Sequence, residues 1–158
     1  MLLLTTLALT TLLGPATASV PFNFTHIFNA SLSLGKPSSS IPVPGGVLVN
    51  EPITNGTVAG SAINGTILGG FAHPPIYNDG TLQAPIIEVY GVTKDNESFY
   101  IHETGIGSNE AQVTRIEINV GGTKYQSLVD DFILASVNAN TDRSKVNVQG
   151  FLVQNTLA

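Results

Sequence analysis

The 158-residue chain carries eleven acidic and six basic residues, a formal charge of −5, and no cysteine. Its basic residues form no cluster that would neutralise a phosphate backbone, so we expect no nucleic-acid partner. The absence of cysteine excludes disulfides and thiolate metal sites, and stability must come from sheet pairing and packing.

The first eighteen residues predict a cleaved signal peptide. They read MLLLTTLALTTLLGPATA, an apolar run ended by GP and followed by small residues, so cleavage is expected after Ala18. A membrane anchor is the alternative, but a span needs about 20 apolar residues and threonines interrupt this run. We therefore expect a secreted, extracellular protein with no membrane anchor after cleavage, in which residues 19–158 form a single domain.

The rest of the chain has the pattern of an all-β protein. Short runs of valine, isoleucine, threonine and aromatic residues alternate with glycine, proline, asparagine and aspartate clusters, and no stretch has the period of a long amphipathic helix. Eight or nine such strands can cover their edges by closing into a barrel or by stacking as a sandwich. The predicted strands are Phe22 to Leu34, Val43 to Val49, Asn55 to Ala59, Asn64 to Leu68, Pro85 to Thr93, Ser98 to Gly105, Ala111 to Val120, Asp131 to Val137 and Lys145 to Val153.

Four segments between these strands have the composition of connections. Residues 36–40 and 69–80 are predicted loops, and the second is expected to form a flap at one end of the sheet. Gly121-Gly122 predicts a tight turn, and residues 138–144 predict a polar hairpin connection.

Five Asn-x-Ser/Thr sequons are candidate glycosylation sites. In a secreted chain such sites are expected to lie on the surface, and we expect about two or more of them to carry a glycan. The five asparagines are Asn23, Asn29, Asn55, Asn64 and Asn96.

Three segments together resemble a known family. They read ITNGTVAGSAINGTILGG, IIEVYGVTKDNESFYIHETG and FILASVNANTDRSKVNVQGFLV, and in this order and spacing the chain resembles domain-of-unknown-function family 3237, a group of small bacterial and fungal proteins. The resemblance implies a single small closed antiparallel barrel and brings no settled activity. The chain departs from the family pattern at His73, near the family's aspartate, and no tryptophan follows it. The matching positions are Gly56, Thr57, Gly60, Ile63, Gly65, Ile67, Leu68, Asp95, Asn96, Tyr100, Gly105 and Phe132.

The most informative candidate site is the predicted hairpin of residues 86–105. A two-residue turn at positions 95 and 96 would pair Thr93 with Ser98 and place Glu88 opposite Glu103. Two facing carboxylates repel when both are ionised, so one would keep a proton inside a cavity and the two would form a candidate acid–base pair.

Two alternatives remain open for this hairpin. The carboxylates would be structural if they lay at a wet rim or bonded a lysine, because structural carboxylates also have perturbed pKa values. A one-residue slip would instead place Glu88 opposite His102 or Thr104.

The sequence gives little support to a metal, nucleophile, phosphate or dinucleotide site. His73 and His102 are candidates for a general base or neutral metal ligands, but no metal-binding spacing is present, so we predict no metal. There is no nucleophile elbow or phosphate-binding loop. Residues 105–110 begin like a dinucleotide loop but have glutamate in place of the third glycine, so no cofactor is predicted.

Three functions follow from these patterns. The first is binding of a small, mostly apolar molecule in the barrel interior. The second is a cofactor-independent isomerase, cyclase or lyase that uses Glu88 and Glu103, and the third is a glycoprotein with a filled core that acts through its surface. The candidate ligand-binding residues are Glu88, Tyr90, Tyr100, His102, Glu103 and His73.

Overall fold

The computed structural model of the chain describes residues 21–156. The predicted signal peptide, residues 1–18, and its cleavage site lie outside the described residues. The described strands are β1 (Phe22–Leu34), β2 (Ile41–Val43), β3 (Gly46–Leu48), β4 (Glu51–Ala59), β5 (Asn64–Ala72), β6 (Pro75–Tyr77), β7 (Leu82–Gln83), β8 (Ile86–Thr93), β9 (Ser98–Gly107), β10 (Ala111–Val120), β11 (Ile133–Ala139) and β12 (Lys145–Asn155). The α-helix α1 (Gln126–Asp130) lies between β10 and β11, and short 3-10 turns lie at Asn78–Gly80 and Thr123–Tyr125.

The long strands close into an antiparallel barrel. Their order is β10-β11-β12-β1-β4-β5-β8-β9, and β9 pairs back onto β10 over nine residue pairs. Closure satisfies the backbone groups that an open sheet would leave unpaired at its edges. The predicted all-β class and the small closed barrel are confirmed.

Every second residue along a barrel strand points into the interior, and most of these residues are apolar. On β9, for example, Phe99, Ile101 and Glu103 are buried while the residues between them are more exposed. The ring of Phe28 on β1 is 1% exposed and packs against β12 at Gly150, where a Cβ atom would lie 2.4 Å from the ring. Position 150 must therefore be glycine for this ring to occupy the interior.

A small sheet of four short strands extends from the barrel; we call β2, β3, β6 and β7 the flap. It joins the barrel where Gln83 on β7 pairs with Gly107 on β9. The predicted loop of residues 69–80 instead contains the end of β5 and the whole of β6. The predicted strand Val43 to Val49 is partly a turn, because Gly45 has a φ of 80° and reverses the chain between β2 and β3.

The predicted tight turn at Gly121-Gly122 is wrong, whereas the polar connection before β12 is confirmed. Gly122 has a φ of 78° and directs the chain into a 3-10 turn and α1. Buried Tyr125 and Leu128 pack this segment onto the barrel core at one end. A single helical turn is too short to give a periodic signal in the sequence. At the opposite end, residues 140–144 connect β11 to β12.

Among residues 21–156, no helix has the length and apolar character needed to cross a membrane.

Candidate functional site

The β8–β9 turn differs from the predicted one and sets the arrangement of the candidate residues. The backbone N–H of Thr93 donates to the carbonyl of Glu97 at 2.8 Å, so the loop between them has three residues rather than two. Asn96 takes a left-handed conformation with a φ of 63°, as expected for the last position of such a loop. One extra loop residue shifts the register by one position, so Ser98 pairs with Val92 instead of Thr93.

The predicted pairing of Glu88 with Glu103 is therefore wrong. Glu88 lies on the outer wall opposite His102, whereas Glu103 points into the barrel opposite Ile87. The hydroxyl of Tyr100 donates to Glu88 Oε1 at 2.8 Å, and this hydrogen bond raises the pKa of Tyr100. Because the two carboxylates lie on opposite faces of the wall, they do not form an acid–base pair.

The candidate ligand-binding residues divide between the two faces in the same way. Glu103 alone faces the interior. Tyr90 lies with Glu88 on the outer face of β8, Tyr100 and His102 lie on the outer face of β9, and His73 follows β5 beside them. The structure thus brings five of the six together, but on the outside of the barrel.

Glu103 is a carboxyl group buried in apolar surroundings. It is 4% exposed and lines a cavity of about 20 Å³. Burial raises its pKa to about 7, and a hydrogen bond from the Thr114 hydroxyl to Oε1 opposes this by stabilising the ionised form. A carboxyl with this pKa can accept or donate a proton near neutral pH. The other walls are formed by Phe28, Ala30, Leu32, Ile67, Ile87, Val89, Ile101, Ile116 and Val148.

A second cavity, the mouth pocket, lies at the barrel end that carries the β11–β12 connection. Its volume is about 30 Å³, and Leu32 and Ile87 line both this pocket and the cavity around Glu103. The two spaces are therefore neighbours along the barrel axis. The remaining apolar lining consists of Leu34, Ile53, Ala72, Pro74, Pro85, Val137, Ala139 and Val146.

Four polar residues of the mouth-pocket lining form one hydrogen-bonded network with Gln83, and we call these five residues the clamp: Glu51, Gln83, Asn109, Gln112 and Arg143. Arg143 donates from Nε and Nη2 to the two carboxylate oxygens of Glu51 at 2.9 and 2.6 Å. Its Nη1 donates to the backbone carbonyl and Oδ1 of Asn109 at 2.7 and 2.9 Å. Gln83 Nε2 donates to Asn109 Oδ1, and Gln112 Nε2 donates to Gln83 Oε1, both at 2.9 Å.

The clamp ties together parts of the chain that are far apart in sequence. Glu51 begins β4, Gln83 belongs to the flap, and Arg143 lies 92 residues beyond Glu51 in the β11–β12 connection. Glu51 is 6% exposed, so the guanidinium compensates a charge that has lost most of its water. Sequence reasoning missed this site, because no motif links these residues and only the barrel topology brings them together.

The predicted glycosylation sites have different surroundings. Asn23, Asn29, Asn55 and Asn96 are exposed, whereas Asn64 is half-buried. The Asn64 amide nitrogen donates to the Gly60 carbonyl at 2.6 Å, and its oxygen accepts from the Gly60 N–H at 3.3 Å. A glycan on that nitrogen would crowd the β4–β5 turn.

We therefore expect Asn64 to be the least occupied sequon when the chain is secreted from a eukaryotic host. Intact-mass analysis of two variants that remove a sequon without changing its asparagine tests this. Thr66→Ala removes the Asn64 sequon and should leave the mass of the glycans unchanged, whereas Ser31→Ala removes the exposed Asn29 sequon and should reduce it. Loss of a full glycan in Thr66→Ala would contradict the expectation.

Two of the three histidines hydrogen-bond asparagine side chains. His73 Nδ1 lies 2.7 Å from Asn50 Oδ1, and His26 Nε2 lies 3.0 Å from Asn29 Oδ1. Within residues 21–156, no group of three or more histidine, aspartate and glutamate side chains has an arrangement that would hold a metal ion.

A search of curated protein sequences finds no match to the chain. Solved structures with the same barrel come from bacteria and a fungus. A conserved protein of unknown function from Rhodopseudomonas palustris is 19% identical with a TM-score of 0.76, covering 86% of this chain and 100% of that one. A β-barrel-like protein from Acinetobacter baumannii is 15% identical with a TM-score of 0.75, covering 87% and 99%.

A third structure, described as an enzyme from Penicillium herquei, is 18% identical with a TM-score of 0.68, covering 88% of this chain and 99% of that one. At these identities the similarity shows the fold. The sequence shows the family, because the family model for proteins of unknown function DUF3237 matches residues 22–129. The chain therefore belongs to the DUF3237 family of β-barrel proteins.

Proposed function

We propose that this protein is a secreted barrel that binds a small, neutral, mostly apolar molecule in the mouth pocket beneath the clamp. The observation that carries the proposal is an apolar pocket covered by convergent polar groups and adjoining a buried carboxyl that titrates near neutral pH. Small-molecule sites combine these features. Secretion and surface glycosylation are part of the proposal and rest on residues 1–18 and the exposed sequons.

The charges at the mouth favour a neutral ligand. Glu51 and Glu110 line the pocket together with a single cation, Arg143, whose guanidinium is engaged with Glu51 and Asn109. An anionic molecule would meet two carboxylates and would have to displace Glu51 to gain an ion pair. A neutral molecule is not repelled by the two carboxylates and does not need to displace Glu51.

Ligand entry requires the clamp to open. A volume of about 30 Å³ is enough for roughly one or two water molecules. Gln83, Asn109 and Arg143 lie in the flap and in connections rather than in the middle of barrel strands, so they can separate without breaking the barrel ladders. Loops that open and close over a site are a common way to admit a ligand and exclude water.

The pocket is tested with the neutral apolar dye N-phenyl-1-naphthylamine. We expect the full chain to bind the dye with increased fluorescence, and Ala139→Phe, which fills the pocket, to weaken binding about tenfold or more, the loss of ~1.4 kcal/mol. Val113→Phe, on an exposed residue of β10, adds the same ring outside the barrel and should leave affinity unchanged. Absence of dye binding, or equal binding by both variants, would count against the mouth pocket.

A second candidate function is catalysis by Glu103 on the bound molecule. The specific support is its pKa of about 7 beside the mouth pocket, together with the Penicillium herquei neighbour that is described as an enzyme. Glu103 would remove a proton from one atom of the substrate and return it to another, which is sufficient for an isomerase, cyclase or lyase without a cofactor.

Catalysis is tested on the molecule that co-purifies with the secreted protein, identified by native mass spectrometry before and after denaturation. We expect Glu103→Gln to bind this molecule and to reduce its turnover about 100-fold or more. Glu88→Gln makes the same chemical change on the outer wall and should turn over normally. Unchanged turnover in Glu103→Gln would remove Glu103 from the mechanism.

A further inference from the structure

We propose that the outer face of β5, β8 and β9 is a binding surface for a neutral polysaccharide, separate from the mouth pocket. We call this surface the aromatic wall; its residues are Phe71, His73, Glu88, Tyr90, Tyr100 and His102. It contains five of the six residues that the sequence suggested for ligand binding, brought together outside the barrel.

Three large rings on this wall are open to solvent. Phe71 is 52% exposed, Tyr90 54% and Tyr100 40%, and they lie on three neighbouring strands. Tyr90 and Tyr100 are directly paired across β8 and β9, and Phe71 pairs with Glu88 on β8. Single exposed apolar residues are ordinary, but a contiguous exposed group on a rigid sheet marks an interaction site.

The rings are held in fixed positions. Tyr90 leans over Gly69 on β5, and its hydroxyl lies 2.9 Å from the place that a Cβ atom at position 69 would occupy. The missing side chain thus lets the ring rest against the strand while much of it remains exposed. Phe71 stacks on His73 with 5.9 Å between ring centroids and 22° between planes, and Asn50 fixes His73 with a 2.7 Å hydrogen bond.

Hydrogen-bonding groups lie between the rings. Glu88 Oε1 accepts from the Tyr100 hydroxyl at 2.8 Å and lies 3.8 Å from His102 Nδ1, and Glu88 keeps 44% of its side-chain surface exposed. Its remaining acceptor capacity faces solvent. A pyranose ring presents an apolar C–H face and a rim of hydroxyl groups. The C–H face would stack on an aromatic ring, and the hydroxyls would donate to the carboxylate.

The charge of the wall favours a neutral carbohydrate over other partners. Glu88 carries a negative charge, Arg115 on the adjacent strand is paired with Glu117 at 3.1 Å, and the chain has a formal charge of −5. Anionic polymers and anionic membranes would therefore be repelled. A second copy of the chain would bring further acidic charge, and the alternation of rings with polar groups differs from the apolar centre of a protein interface.

The test is co-sedimentation of the full chain with three insoluble neutral polysaccharides: microcrystalline cellulose, chitin and a β-1,3-glucan. We expect retention on at least one of them, release by its soluble oligosaccharide, and about tenfold or greater loss of affinity in Phe71→Ala and Tyr100→Ala, equal to ~1.4 kcal/mol. Phe24→Ala is the matched control because Phe24 is also 52% exposed but lies on β1. It should bind like the unaltered chain.

Circular dichroism melting of each variant separates loss of binding from loss of fold, and Tyr90→Phe adds a variant that keeps the ring over Gly69. We expect Tyr90→Phe to remain bound. The proposal is overturned if none of the three polysaccharides retains the chain, if folded Phe71→Ala and Tyr100→Ala bind normally, or if Phe24→Ala alone loses binding. It is also overturned if sedimentation velocity shows a dimer that Tyr100→Ala dissociates, since a second copy would then occupy the wall.

Discussion

Replacing Arg143 with alanine is expected to lower the free energy of unfolding by about 3 kcal/mol, the lower end of the range for breaking a buried ion pair. The lower end applies because the Arg143 side chain keeps 22% of its surface exposed, whereas that of Glu51 keeps 8%. Removal of the guanidinium leaves the Glu51 carboxylate without its two charge-assisted hydrogen bonds. Urea unfolding followed by circular dichroism measures the change.

A double variant separates this charge penalty from the packing of the long side chain. Replacing Glu51 with leucine and Arg143 with methionine removes both charges and keeps apolar volume over the mouth pocket. We expect the double variant to be nearly as stable as the unaltered chain, because apolar replacement of a buried pair is often neutral or stabilising. If Arg143→Ala costs less than about 1 kcal/mol, the pair behaves as a surface ion pair and the clamp does not hold the mouth closed.

The same variant reports on ligand entry. Without Arg143, nothing joins Glu51 to Asn109 in the clamp as described, so the dye N-phenyl-1-naphthylamine should enter the mouth pocket faster. Stopped-flow fluorescence measures the rate, and Arg115→Ala, at the other described arginine, is the control because Arg115 pairs only with groups on the outer surface. Equal entry rates in Arg143→Ala and the unaltered chain would mean that the clamp does not limit access.

The strands could be predicted because they carry a period-two pattern that the sequence displays directly, whereas the choice of a barrel over a sandwich came from the family resemblance. Strands β1 and β10 have the predicted bounds, and every barrel strand overlaps a predicted one. Of the flap strands, β3 lies within the predicted strand Val43 to Val49. The other short strands and the five-residue helix α1 escaped prediction, because two to five residues give too little pattern to distinguish a strand or helical turn from a loop.

The site was harder to predict than the fold because it depends on one turn and on distant contacts. The β8–β9 loop has three residues and ends with Asn96 in a left-handed conformation. In the resulting register Glu88 lies on the outer face of the wall and Glu103 on the inner face. The alternation of apolar and polar residues along each strand was sufficient to assign side chains to the two faces of that strand. It did not determine the register between two strands, which depends on the turn. The Glu51–Arg143 pair had no local signal, since its members meet only through barrel closure.

Stability should fall as the pH rises from about 4.5 to about 7, and Glu103 is the cause. Burial raises the pKa of this carboxyl from 4.5 to about 7 in the folded chain, so within that window the folded state holds a proton that the unfolded state has lost. A state that binds more protons is favoured at low pH, and the pKa difference corresponds to roughly 3 kcal/mol. The loss should be complete at about pH 8, roughly one unit above the folded pKa, where Glu103 is ionised in both states.

Glu103→Gln isolates this effect, because glutamine has nearly the same shape and cannot ionise. The difference in unfolding free energy between the two proteins, measured by urea titration from pH 5 to 8.5, cancels the groups that they share. Hydrogen bonds from Lys124 and Ser144 lower the pKa values of Asp95 and Asp142 respectively, away from this window, and both groups are shared by the two proteins. As the pH rises, we expect the unfolding free energy of Glu103→Gln to increase relative to that of the unaltered chain. At pH 8 the variant should be the more stable protein. A difference that does not change with pH would mean that Glu103 titrates near its ordinary value, and catalysis by this carboxyl would lose its physical basis.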